Sequence, residues 1–241
     1  MNWRDSGYAL TYVGLAGIVF ATVIGLEYAP TIKACTGGGC FGAPEAYRIL
    51  YLHVPFAWCS FLSFSVLFYG SIMWYLKRSE DAWVYFQSGS DLGLIFGLGV
   101  ITSGPIWASA EWGTPWDWGD IRLNSFGLLS AVALFLVYSR RSQPDTPATR
   151  DTLSAIGLFG FALVPITAGA THWWNTTHPP LLVIESGEKV GMDSEIRTLL
   201  LLNFAIMCVL FVGFLLLSNK RYRLAAEVSS RKAELDEEAM L

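Results

Sequence analysis

A chain of 241 residues that is 53% hydrophobic and only 15% charged, with a mean hydropathy of +0.43, has too little polar surface for one water-soluble domain. Its net charge of −4 gives no reason to expect nucleic acid as a partner. The apolar residues fall instead into six runs, 8–26, 49–76, 92–110, 123–138, 153–171 and 198–218. About 20 apolar residues cross about 30 Å of hydrocarbon, and backbone groups in lipid must be satisfied within their own segment, so each run predicts a helix.

The first run has a weak positive flank and no small-residue cleavage site after it, so it reads as a span and not a cleavable signal. The loop that follows, 27–46, holds Cys35 and Cys40 in CTGGGC. On an oxidising side a structural disulfide is the first reading, a redox-active pair the second and metal binding the third. The second run carries His53 near its start, in YLHVPFAW. Cys59 here and Cys208 in the sixth run read as small apolar packing residues.

Gly93 and Gly97 in the third run have the spacing that lets helices approach closely. Pro105, and Pro165 in the fifth run, predict bends. The third run ends in EWGTPWDWGDIRL, residues 111–123, the least ordinary stretch of the chain. Trp112, Trp116 and Trp118 stand beside Glu111, Asp117, Asp120 and Arg122. A soluble core would reject those charges, and a solvated loop would reject those rings. Thr114 with Pro115 and Asp117 resembles a capping box, which predicts a short helix lying on the interface.

Pro144 and Pro147 mark a turn before the fifth run, which leaves the membrane in THWWNTTHPP with His172 and His178. The sixth run is followed by a tail of mixed charge, either a short exposed helix or disordered. The expected fold is therefore all-α, polytopic, with six transmembrane helices and a short interfacial tryptophan segment. Residues 1–223 form one membrane domain and 224–241 a charged tail.

Basic residues set the orientation. Arg4, Lys77, Arg78, Arg140, Arg141, Arg150, Lys220, Arg221 and Arg223, with Arg231 and Lys232 of the tail, share one side. Lys33, Arg48, Arg122, Lys189 and Arg197 share the other. The richer side is expected to be cytoplasmic, with both termini. The tryptophan stretch and all three histidines then face outward.

Neutral imidazole is a good iron ligand, and paired imidazoles are common axial ligands of haem. A single rim histidine bonded to backbone or headgroups is the ordinary alternative. Two histidines from distant segments, at one depth and beside clustered tryptophans, favour the ligand reading. Tryptophans also anchor helices at the interface, which is enough for Trp3, Trp58, Trp74 and Trp83. Trp107, Trp112, Trp116 and Trp118, with Trp173 and Trp174, are too concentrated for that alone. A porphyrin would stack on such faces, and its propionates would take a cation such as Arg122 or Arg48.

WGTPWDWGDIRL resembles the tryptophan-rich "WWD" motif of haem-handling membrane proteins of cytochrome c biogenesis, and YLHVPFAW and HWWNTTHPP resemble the two histidine regions that flank it in the haem exporter protein C (CcmC) family. The order of the three segments and the count of six helices match that family over nearly the whole chain. The resemblance implies that haem b, as transient cargo, is held on the outer face and delivered to the haem chaperone CcmE, alongside CcmA, CcmB and a small CcmD. It implies axial roles for His53 and His178, with His172 chemically as able. It implies cofactor contacts from Trp112, Gly113, Trp116, Trp118, Asp120 and Arg122. The motif departs from the family pattern at Gly119–Asp120, so Asp117 and Asp120 both remain candidates for the acidic position. Any bond formed to the chaperone would use a residue of the partner. A membrane electron-transfer subunit with a permanent bis-histidine haem is the second reading. A channel or transporter is the third, disfavoured by the scarcity of mid-membrane ionisable residues.

Overall fold

The structure, a computed structural model, describes residues 3–30, 35–36, 39–40, 42–174 and 194–240. Six helices are long and apolar enough to cross a membrane. They are α1 (Trp3–Tyr28), α2 (Leu50–Lys77), α3 (Glu80–Trp112), α4 (Ile121–Ser142), α5 (Pro147–Trp173) and α6 (Ser194–Glu238). A 3₁₀ segment, Pro44–Ile49, leads into α2, and a two-residue ladder pairs β1 (Cys35–Thr36) with β2 (Gly39–Cys40). This is the all-α, six-span membrane fold that the apolar runs predict.

Every helix runs past its apolar run at one end or both, and side-chain caps account for three of the extensions, the third at the start of α4. Ser79 caps α3 by accepting from the Ala82 N–H at 3.3 Å, which moves its start well ahead of residue 92. Thr146 caps α5 in the same way, accepting from Thr149 N–H at 3.2 Å, with Pro147 in the first turn where its missing N–H costs nothing. Between α2 and α3 the chain reverses through Arg78, which takes φ +50°. The tail shows no break from the sixth span: α6 continues as one helix of 45 residues.

α2 and α3 form the centre, with the α1–α6 pair on one side and α4–α5 on the other. The central pair meets at backbone distance. A Cβ on Gly70 would lie 2.3 Å from Phe86 N, and one on Gly89 would lie 2.4 Å from Leu67 N. Gly97 packs against Ser130 of α4, where a Cβ would lie 2.8 Å from its hydroxyl, and Gly93 has ordinary room, so the tightest contacts sit at Gly70 and Gly89 rather than at the expected pair. Phe64, Leu67, Trp74, Trp83 and Phe86 fill the core between α2, α3 and α5, with the Trp83 ring stacked on Phe86 at 4.4 Å. Tyr12, Val13, Val19 and Phe20 on α1 face outward, as lipid requires.

The basic residues gather at one end, as their placement in the sequence predicts. Arg78 pairs with Asp151, Arg150 with Glu80 and Asp145, Arg140 with Asp91, and Arg223 with Asp81. The tryptophan stretch, between α3 and α4, lies at the opposite end.

Candidate functional site

A cleft of about 420 Å³, counted with its open mouth, sits at the tryptophan end between α2, α3 and α4. His53, Trp107, Trp112, Trp116 and Arg122 line it together with Gly104, Pro105 and Phe126. Four of the residues singled out in the sequence thus converge from three helices and one loop: His53, Trp112, Trp116 and Arg122.

His53 lies in the first turn of α2 and is 8% exposed. Its Nδ1 is 2.9 Å from the Ser103 hydroxyl of α3. Ser103 spends its single proton on the Gly99 carbonyl at 2.6 Å. With that proton on Gly99, the Ser103 oxygen can accept from His53 Nδ1–H, the tautomer that places the lone pair on Nε2 as a metal ligand needs. Gly104 makes space for the ring: a Cβ there would lie 3.2 Å from His53 Cε1. Pro105, one residue on, leaves the Ile101 carbonyl without its helical donor, and both residues line the cleft.

Trp112 is the last residue of α3. Gly113 ends the helix at φ +74°, a left-handed conformation that a side chain would strain. The Trp107 and Trp112 rings meet at 4.9 Å and 56°. Arg122, in the first turn of α4, is 7% exposed and makes no ion pair among the described residues; Asp120 is its charged neighbour. A buried guanidinium at the wall of a cleft attracts an anion strongly, because little water screens it. The other cation considered for that role is committed elsewhere. Arg48 donates to the Leu26 and Ala29 carbonyls at the end of α1 and pairs with Glu45.

Residues 113–120 form no helix, contrary to the capping-box expectation. The Thr114 hydroxyl donates to the Trp116 carbonyl at 3.1 Å instead of capping, and the Asp117 carboxylate accepts from Gly119 N–H at 2.8 Å in a tight local turn. The true cap is Asp120, whose carboxylate accepts from Arg122 and Leu123 N–H at 2.9 and 3.1 Å. Each carboxylate thus holds backbone, Asp117 within the loop and Asp120 at the start of α4.

Two residues that sequence reasoning gave no role shape this loop. Asn124 donates to the Trp118 and Asp120 carbonyls at 2.8 and 2.7 Å and accepts from the Trp116 indole N–H at 3.2 Å. Trp116 therefore lies against α4, where a Cβ on Gly127 would be 3.3 Å from its ring. Glu111 accepts from Gly42 and Ala43 N–H at 3.1 and 3.0 Å, which ties the first long loop to the end of α3. An asparagine one turn after an aspartate cap carries a weak local signal; the Glu111 contact, nearly 70 residues away in sequence, carries none.

Trp118 stands apart, 84% exposed, 5.9 Å from Trp116. Gly113 and Asp120 serve the backbone and do not line the cleft. Trp173 and Trp174 meet edge to face at 5.8 Å, outside its lining. His172 lies in the last turn of α5. His178 falls outside the described residues. Cys35 and Cys40 are direct cross-strand partners in the β1–β2 ladder.

The fold and the cleft define a multi-pass membrane protein with an imidazole-bearing aromatic site at one end of its bundle. A family model described as Heme exporter protein C matches residues 7–235, and the chain belongs to that family. Heme exporter protein C of Paracoccus denitrificans (strain Pd 1222) is 28% identical over 92% of this chain and 91% of its own. The protein of the same name from Escherichia coli (strain K12) is 26% identical over 91% and 89%. A putative cytochrome c biosynthesis ccmC-like mitochondrial protein of Marchantia polymorpha is 29% identical over 67% of this chain and 68% of its own.

Proposed function

We infer that this chain, a haem-handling membrane protein of the cytochrome c biogenesis family, holds haem b as transient cargo in the tryptophan cleft and delivers it to the haem chaperone CcmE. The single observation that carries the reading is the convergence of His53, Trp112, Trp116 and Arg122 on one cleft. Each supplies what a haem needs: a lone pair on Nε2 for iron, ring faces for the porphyrin and a guanidinium for a propionate. His178 is assigned as the second axial ligand on the family resemblance. The tryptophan end is the outer face, by the basic residues gathered at the other end, and both termini are cytoplasmic. CcmA, CcmB and a CcmD-like subunit are the proposed neighbours in the membrane, and the tail, 224–241, lies on their cytoplasmic side. The exposed Trp118 and the open mouth favour a site that releases its cargo over a permanent electron-transfer haem.

The test is the absorption spectrum of the purified full chain together with co-purification of the chaperone. His53→Ala and His178→Ala should each lose most bound haem, with partial rescue by added imidazole, and His172→Ala should lose less. Joint replacement of Trp112, Trp116 and Trp118 should lose both haem and chaperone. Equal haem in all histidine variants would sink the axial assignment. Retention of haem and chaperone by the triple variant would sink delivery from this loop.

A further inference from the structure

At the opposite end of the bundle a second concavity runs along α3 between α4 and α6, about 870 Å³ with its open side. Leu94, Ile95, Phe214 and Leu217 line its length, and Arg141 and Arg221 stand at its end. Those arginines belong to a cluster around Asp91. Oδ1 of Asp91 accepts from Arg140, and Oδ2 accepts from the Tyr222 hydroxyl at 2.5 Å. Arg141 and Arg221 approach the same oxygens only to 3.8 and 3.6 Å, beyond hydrogen-bond reach. Three guanidiniums around one carboxylate leave two positive charges uncompensated. Both of those side chains are 61% exposed. Arg221 is held over the Tyr222 ring at 4.4 Å, so its position is fixed by packing. In the same groove the Ser218 hydroxyl is buried and makes no hydrogen bond among the described residues.

A short, open apolar groove that ends in two exposed arginines matches the headgroup end of an amphipathic anion in shape and charge. We propose that this groove binds an anionic phospholipid. One acyl chain lies over Leu94, Ile95 and Phe214. The phosphate sits between Arg141 and Arg221. The Asp91 carboxylate does not repel it, because Arg140 and Tyr222 already occupy both oxygens. A hydrophobic helix from another protein would cover the apolar residues but leave the two arginines unmatched. The proposal is independent of the haem reading: the groove lies about 30 Å along α3 from Trp112, at 1.5 Å per residue.

The experiment is native mass spectrometry of the delipidated full chain in neutral detergent, offered phosphatidylglycerol and phosphatidylcholine in equal amounts. A basic side chain at a membrane surface favours an anionic lipid about fivefold, so two give a preference of about thirtyfold for phosphatidylglycerol. Arg141→Gln with Arg221→Gln should erase the preference, and the paired Lys variants should keep most of it. Ile95→Trp, which fills the groove with every charge in place, should reduce occupancy by both lipids. Arg231→Gln with Lys232→Gln, in the tail, should change nothing. Equal binding of the two lipids by the unaltered chain overturns the proposal. So does unchanged preference in the double Gln variant, or full displacement of phosphatidylglycerol by millimolar inorganic phosphate. A photoreactive residue at position 95 that crosslinks in membranes to protein and not to lipid overturns it in favour of a partner helix.

Discussion

At the basic end of the bundle, Asp151 takes a 2.8 Å hydrogen bond from the Trp74 indole as well as the Arg78 pair, and Arg150 is shared between Glu80 and Asp145 at 2.6 and 2.5 Å. At the tryptophan end, Arg122 is buried but, unlike Arg140, has no ion-pair partner among the described residues. The hydrogen-bonded charges at the first end join segments of the bundle, while Arg141 and Arg221 stay exposed beside Asp91. At the second end Asn124, Asp117 and Asp120 hold the loop before α4, Arg48 and Glu111 bond to backbone elsewhere, and Arg122 lines the cleft. Under the proposed function the first end serves as a joint and the second as a receptor, and occupancy by cargo would leave the bonds that align the helices undisturbed.

Substitutions test the division by moving stability and cargo affinity separately. The largest effect is expected from Asp91→Asn, which strands the buried Arg140. Breaking a buried pair costs about 3 kcal/mol, read as a lower thermal unfolding midpoint, with haem affinity little changed below that midpoint. Arg122→Leu should show the mirror result, about tenfold weaker haem binding with stability within about 1 kcal/mol of the unaltered chain. If Arg122→Leu unfolds the protein as Asp91→Asn does, the two ends are alike and the contrast fails. Asn124→Leu comes next. It releases Trp116 and two loop carbonyls, so haem affinity should drop about fivefold and tryptophan emission should shift to the red, at about 1 kcal/mol of stability because the freed groups reach water. The smallest effect belongs to Gly104→Ala. The new Cβ must push the His53 ring by a few tenths of an ångström, which should shift the haem absorption band and weaken binding about twofold, with no change in unfolding.

The six spans were legible because lipid imposes length and hydrophobicity on them, and His53 and the tryptophan stretch were legible because their composition fits no ordinary surface. Their convergence was less so. Ser103, the hydrogen-bond partner of His53 Nδ1, is one serine among many, and its role arises only where α2 crosses α3. Thr114 has the right neighbours for a cap, but its hydroxyl found the Trp116 carbonyl first. The tail reads as either helix or disorder because its Glu, Lys, Arg and Ala residues favour helix without offering a buried face. Starting from the formed turns of α6 removes the nucleation cost that an isolated segment would face. Asp91 lay one residue outside the third apolar run, and its neighbours come from α4 and α6, far away in sequence.

The unbroken length of α6 has a mechanical consequence. Its 45 residues extend about 68 Å, more than twice the about 30 Å of hydrocarbon, so roughly half of it projects beyond the bilayer. A rod of that kind is a lever arm with its fulcrum in the membrane. If the span tilts by about 10°, the far end near Glu238 sweeps about 6 Å, a displacement large enough to engage or release a neighbouring protein. The short end of the same lever begins at Ser194. A displacement of that end is therefore magnified at the tail without any change in the helix itself.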